Sequence, residues 1–163
     1  MILRDPSRRL DPRVQRLWAL EWGLAALVFA IVTVAIAIPL ALADNGWAAV
    51  VVALVGGGLT LGLLGLALVQ PRLAYRRFGY EITDLGLYVA RGRLWRRWQV
   101  VPHARVQTVD TKHGPLERFV GLVSVEVNTA SASGGTDVPG LDPGVANALV
   151  EELARRAGIE EGA

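Results

Sequence analysis

Catalysis requires a nucleophile, a base and a stabilising group converging on one point, and the residues of suitable type here are Ser131, Ser133, His103, His113, Asp110 and Lys112. Their spacing matches none of the arrangements that do such work. No G-x-S-x-G elbow is present, and Ser131-Ala132-Ser133-Gly134-Gly135 has the composition of a turn between strands. With 0 cysteines, the chain builds no thiolate nucleophile, no disulfide framework and no Cys-type zinc site. His103 and His113 could hold a metal only with carboxylate help. Gly56-Gly57-Gly58 lacks the lysine of a phosphate loop and lies inside an apolar run. The expectation is a non-enzymatic protein with no catalytic residue, no metal and no cofactor.

Binding chemistry is better represented. In Arg91-Gly92-Arg93-Leu94-Trp95-Arg96-Arg97-Trp98 the alternation of a strand is broken, so arginine and tryptophan both fall on more than one face. Arginines beside interfacial aromatics suit an anionic ligand or a lipid headgroup surface. The competing reading is that Trp95 or Trp98 anchors a core while Arg91, Arg93, Arg96 and Arg97 solvate and protect an edge strand. Lys112, His113 and Arg118 flank a Gly114-Pro115 turn where they could touch a phosphate; the plainer reading is a polar loop. His103, after Pro102, reads as a surface residue.

These residues need elements to hold them, and the first are membrane spans. More than half of the 163 residues are apolar (52%), yet no charge falls between Glu21 and Asp44 or between Asp44 and Arg72. Residues 22–43 and 47–69 are each close to the ~20 needed to cross the hydrocarbon core as a helix. Trp18, Trp22 and Trp47 suit the interfacial belt, and Asp44-Asn45-Gly46 is a turn signal. An A-x-A-like Ala41-Leu42-Ala43 invites a signal-peptide reading, but the apolar run exceeds the usual ~7–15 residues and a second run follows at once. Gly58, Gly62 and Gly65 form a small-residue face that would pack either the two spans on each other or two copies of the chain. Arg4, Arg8, Arg9, Arg13 and Arg16 precede the first span, and Arg72, Arg76 and Arg77 follow the second. Both termini are therefore expected in the cytoplasm.

Asp11-Pro12 predicts a helix start, with a loose tail before it. After Pro71 the pattern changes to short alternating segments, which predict strands at 79–83, 87–91, 95–101, 106–112 and 122–129, and a short one at 137–138. Val123, Val125 and Val127 alternate with Ser124, Glu126 and Asn128, as in a sheet with one wet face. A last helix is capped by Asp142-Pro143, carries a stripe of Val145, Leu149, Val150 and Leu153, and ends with Arg155, Arg156 and Gly158. The division expected is a cytoplasmic N-terminal segment at 1–20, a two-span hairpin at 21–70 and a cytoplasmic domain at 71–163.

Val101-Pro102, Arg105-Val106-Gln107, Gly114-Pro115-Leu116-Glu117-Arg118, Gly121-Leu122, Thr129-Ala130 and Gly140-Leu141 resemble the bacterial pleckstrin-homology domain of YdbS-like membrane proteins. Leu10-Asp11-Pro12-Arg13-Val14, with Trp18 and two spans after it, is similar to the N-terminal half of that family, so the resemblance covers nearly the whole chain. It implies a pleckstrin-homology-like fold, an antiparallel β-sandwich or barrel of about seven strands with a C-terminal α-helix, and membrane-associated binding. Val120 departs from it by lengthening the loop before Gly121.

The function expected is a membrane-anchored binding module that meets anionic phospholipid of the inner leaflet, a partner protein, or both. The alternative is a structural subunit whose domain serves only oligomerisation or docking to another membrane protein. With a net charge of +2 and its arginines gathered near the spans and in one hairpin, nucleic acid is not an expected partner. Nine residues lie between Val69 and Gly79, so even a fully extended link holds the domain within roughly 30 Å of the bilayer.

Overall fold

The computed structural model describes residues 6–43, 45–92, 95–129 and 135–158. They fall into two compact units, residues 18–71 and the combination of 6–17 with 72–158.

The first unit is made of helices. α1 spans Val14–Leu42 and α2 spans Gly46–Arg77, and both are long and apolar enough to cross a membrane. Regular α-helix begins at Val14, because the turn before it uses tighter bonds: Val14 N–H donates to Asp11 O at 3.0 Å and Gln15 N–H to Pro12 O at 3.2 Å. Asp11 caps this turn as expected, its Oδ1 accepting the Arg13 N–H at 2.8 Å. α2 does not end near Pro71 but continues to Arg77. Good helix formers at Arg72, Leu73 and Ala74 offset the missing proline N–H, and Arg76 and Arg77 complement the helix dipole in the last turn. The spans meet where a methyl group on Gly56 would stand 2.2 Å from Thr33 Cγ2. A methyl on Gly58, Gly62 or Gly65 would meet nothing within 4 Å, so these three do not make the contact between the spans.

The second unit contains six strands among the described residues, where the family resemblance implied about seven. β1 (Gly79–Ile82), β2 (Gly86–Arg91) and β3 (Arg97–Pro102) form one antiparallel sheet in the order β1-β2-β3. β4 (Val106–Lys112), β5 (Val123–Thr129) and β6 (Thr136–Leu141) form another in the order β4-β5-β6. Between β4 and β5 stands a short helix, α3 (Pro115–Val120), and the chain ends in α4 (Pro143–Ala157). The core combines Tyr80, Leu87, Val89 and Val101 from the first sheet with Val125, Val127, Val138 and Leu141 from the second. Ser124 and Glu126 are only half-buried on the other face of β5. The buried stripe of α4 is Ala146, Leu149 and Leu153; Val145 is exposed and Val150 half-buried, because the small Ala146 faces the core and turns its larger neighbours outward.

Residues 7–17 form a strap, and its part before Pro12 is not the loose tail expected there. Arg8 pairs antiparallel with Tyr80 on the edge of β1, through Arg8 N–H to Tyr80 O at 3.1 Å and Tyr80 N–H to Arg8 O at 3.0 Å. Asp11 N–H then donates to Gly140 O at 3.3 Å at the end of β6. This strap therefore closes the seam between β1 and β6, and Leu10, Val14 and Leu17 are buried beneath it.

His103 is also buried, contrary to its surface reading. It opens a 3-10 turn, His103–Arg105, at the corner between β3 and β4, and its Nε2 lies 2.9 Å from Thr83 O.

Candidate membrane-facing surface

The β2–β3 hairpin is positioned by register. Gly79 pairs with Ala90, and Arg91 with Arg97, so the turn after Arg91 lies at the end of the sheet where the chain arrives from α2. That end also carries Arg76 and Arg77. Arg91 and Arg97 are like charges directly opposed across a ladder, an arrangement that repels. Arg91 is answered from within the domain by Asp137 Oδ1 at 2.9 Å and Gln99 Oε1 at 3.0 Å. Its charge is thus engaged in joining the two sheets, and the part of the expected ligand surface that points outward is Arg96, Arg97 and Trp95. Arg93 lies outside the described residues.

The two tryptophans play different parts. Trp95 is 87% exposed. Trp98 is half-buried opposite Ala90, with its Nε1 buried and without a partner, and Arg96 Cζ stands 5.8 Å from its ring centroid, at the outer range of a cation–π contact. Trp98 is the anchor and Trp95 the free aromatic; an open recess of about 640 Å³ lies between Arg91, Trp95, Arg97 and Trp98.

The turn expected at Gly114-Pro115 is the start of α3. Gly114 is its N-cap, Pro115 takes the first helical position, and Gly121 ends it at φ 71°. Val120, the extra residue, is the last residue of this helix. Glu117 accepts the Gly114 N–H at 2.7 Å and the Ser124 hydroxyl. Lys112 is held by Glu126, whose carboxylate keeps the ammonium pKa above its ordinary value. Its ammonium is thus paired within the second sheet. Arg118 and Phe119 are exposed, Phe119 to 81%. Phe119 carried no signal in the sequence beyond being a lone aromatic after a turn motif.

Arg13 connects the strap to the last helix. It donates to Asp11 Oδ1 and Oδ2 at 3.0 and 3.1 Å and to Asp142 Oδ2 at 2.9 Å, which lowers the Asp11 carboxyl pKa and raises that of Arg13. Burial pushes the Tyr80 phenol up.

Of the residues considered for catalysis, Asp110 accepts from Thr108 and Asn128 at 3.1 and 3.3 Å, and His103 is buried at the corner. Ser131 and Ser133 lie outside the described residues. Among the described residues no three His, Asp or Glu side chains are grouped to hold a metal.

The sequence of UPF0699 transmembrane protein YdbS from Bacillus subtilis (strain 168) is 24% identical over 157 residues, covering 96% of each chain. The family described as "Bacterial PH domain" matches residues 19–157. Two apolar helices, two three-stranded antiparallel sheets and a closing helix fit that match, and this membrane protein belongs to the bacterial PH domain family.

Proposed function

We propose that this chain is a non-enzymatic, membrane-anchored binding module whose PH-like domain meets anionic lipid through the β2–β3 hairpin. The observation that carries the reading is the register of β1, β2 and β3: with Gly79 opposite Ala90 and Arg91 opposite Arg97, the turn carrying Trp95, Arg96 and Arg97 lies at the sheet end fed by α2, whose last turn is itself basic. An anionic headgroup beside Arg97 would supply it with a counter-charge, as Asp137 does for Arg91. Each basic side chain close to an anionic surface adds on the order of 1 kcal/mol of attraction. Packing of residues 7–17 on the domain favours both termini on one side of the membrane, and the flanking arginines favour the cytoplasm.

The test uses the full chain in nanodiscs, with Trp95→Cys carrying an environment-sensitive fluorophore. A blue shift that needs phosphatidylglycerol, fades as the Debye length shrinks from about 10 Å at 0.1 M to about 3 Å at 1 M salt, and is lost in Arg96→Gln/Arg97→Gln supports the reading. Identical spectra in neutral and anionic discs at low salt overturn it.

A structural role in self-association is favoured by a different observation, the open face of Gly58, Gly62 and Gly65 on α2. Crosslinking in native membranes that captures a second copy through this face, with no lipid dependence of the hairpin, would move the weight to that reading.

A further inference from the structure

We infer that α3 is a second contact with the bilayer, inserting Phe119 into the lipid interface beside the start of α1. The inference rests on the domain's meeting the membrane, but it is independent of whether the β2–β3 hairpin recognises anionic lipid.

Leu116, Phe119 and Val120 stand at i, i+3 and i+4, on one face of the helix. Leu116 and Val120 are half-buried, while Phe119 is 81% exposed, so the outer edge of this apolar face serves no core. It is nevertheless held firmly. Glu117 ties the helix start to Gly114 and the helix body to Ser124, and Ser124 Oγ accepts the Gly140 N–H at 3.3 Å. At the other end Leu122 N–H donates to Glu117 O at 2.9 Å, and Leu122 itself is fully buried. A connection between β4 and β5 needs only a polar turn. This one uses a capped helix to hold a phenylalanine out of the domain, which is unfavourable in water and favourable against acyl chains.

The position of α3 identifies the occupant. A methyl on Gly121 would stand 3.6 Å from Arg13 Nη1, and Arg13 directly precedes α1. From Arg13 to Trp18, the first interfacial tryptophan, is about 7.5 Å of helix at 1.5 Å per residue. Arg118, next to Phe119, supplies the cation that a headgroup layer receives while the ring enters below it.

Leu85 provides an internal contrast. It is 80% exposed, matching Phe119, but sits in the β1–β2 turn, where Arg156 at the far end of α4 donates to Thr83 O and Asp84 Oδ1, each at 3.3 Å. Arg13 and α3 belong to the Asp142 end of α4, and the 15 residues of that helix separate the two ends by about 22 Å.

Because the chain has 0 cysteines, Phe119→Cys and Leu85→Cys can each be labelled with NBD in the otherwise unchanged full protein, in nanodiscs made with acyl-brominated phosphatidylcholine. The label at 119 should be quenched by bromolipid and shielded severalfold from aqueous iodide relative to the label at 85. Equal iodide quenching at both positions without a bromolipid effect overturns the inference. Shielding from both quenchers also overturns it, since a protein surface then covers Phe119. Equal thermal melts of the two labelled proteins establish that the domain is intact. The same measurement at Trp95 separates the two contacts, since quenching at 119 without quenching at 95 removes the hairpin reading and leaves the α3 contact standing.

Discussion

Arg13 Nη2 lies 2.9 Å from Asp142 Oδ2 and 3.1 Å from Asp11 Oδ2, so one guanidinium joins the caps of α1 and α4. Asp11 caps the turn that opens α1, and Asp142 caps α4 by accepting the Gly144 N–H at 3.0 Å. Losing Arg13 would therefore loosen the strap's hold on the start of α4.

The depressed Asp11 pKa makes this joint sensitive to acid. A carboxyl held below its unfolded value, about 3.9, contributes stability that is fully present above that value and is lost as pH falls through the folded value. The wild-type protein in detergent should lose melting temperature as pH drops below about 4. Arg13→Ala should melt lower at neutral pH but show a shallower acid loss. Parallel pH curves for the two proteins would refute the joint.

Gly140 adopts φ 63°, and a methyl there would stand 2.2 Å from Val14 Cγ2. Gly140→Ala should cost at least the ~1–2 kcal/mol of a left-handed non-glycine residue, with a steric term added. Combining it with Val14→Ala should recover the steric part, giving a double-mutant coupling outside the ~0.3–0.5 kcal/mol of independent sites. Strict additivity in denaturant unfolding would place the strap elsewhere.

In the membrane hairpin, Gly56→Leu should separate α1 from α2 by driving a side chain into Thr33, an overpacking cost of roughly 1–3 kcal/mol. Gly62→Leu should leave the pair intact. Fluorescence transfer between labels on the two helices reads the difference, and equal responses to both substitutions would show that the spans pack otherwise.

Reporters fused before residue 1 and after Ala163 should both be active in the cytoplasm, since residues 7–17 and the C-terminal domain pack together. Activity of either one in the periplasm would contradict the shared side.

The spans were legible because uncharged runs admit little else, and the strands because alternation survives in Val123, Val125 and Val127. The cap Asp142 and the αL residue Gly158 bounded α4 locally. The strap was not legible: Leu10, Val14 and Leu17 form a helical stripe, but the apolar span beginning a few residues later hides its periodicity, and its partners Tyr80 and Gly140 are far along the chain. The burial of His103 is invisible in the sequence because nothing in Pro102-His103 announces a corner between two sheets. Arg91 looked available for a ligand because Asp137 belongs to the other sheet. α3 leaves no trace in the sequence pattern because its six residues make fewer than two turns, too short for a period, and Gly-Pro reads as a turn.

The strap also constrains the order of events during synthesis. Arg13 is made before its partner Asp142, which follows 129 residues later. At ~5–20 residues per second that interval is about 6–26 s, during which both spans must be delivered to the bilayer. The segment at 7–17 thus waits, with Leu10, Val14 and Leu17 uncovered, until β6 and the start of α4 have been made. A chaperone or the membrane surface itself would have to shield those three side chains in the meantime, and a chain truncated before β6 would leave them uncovered permanently.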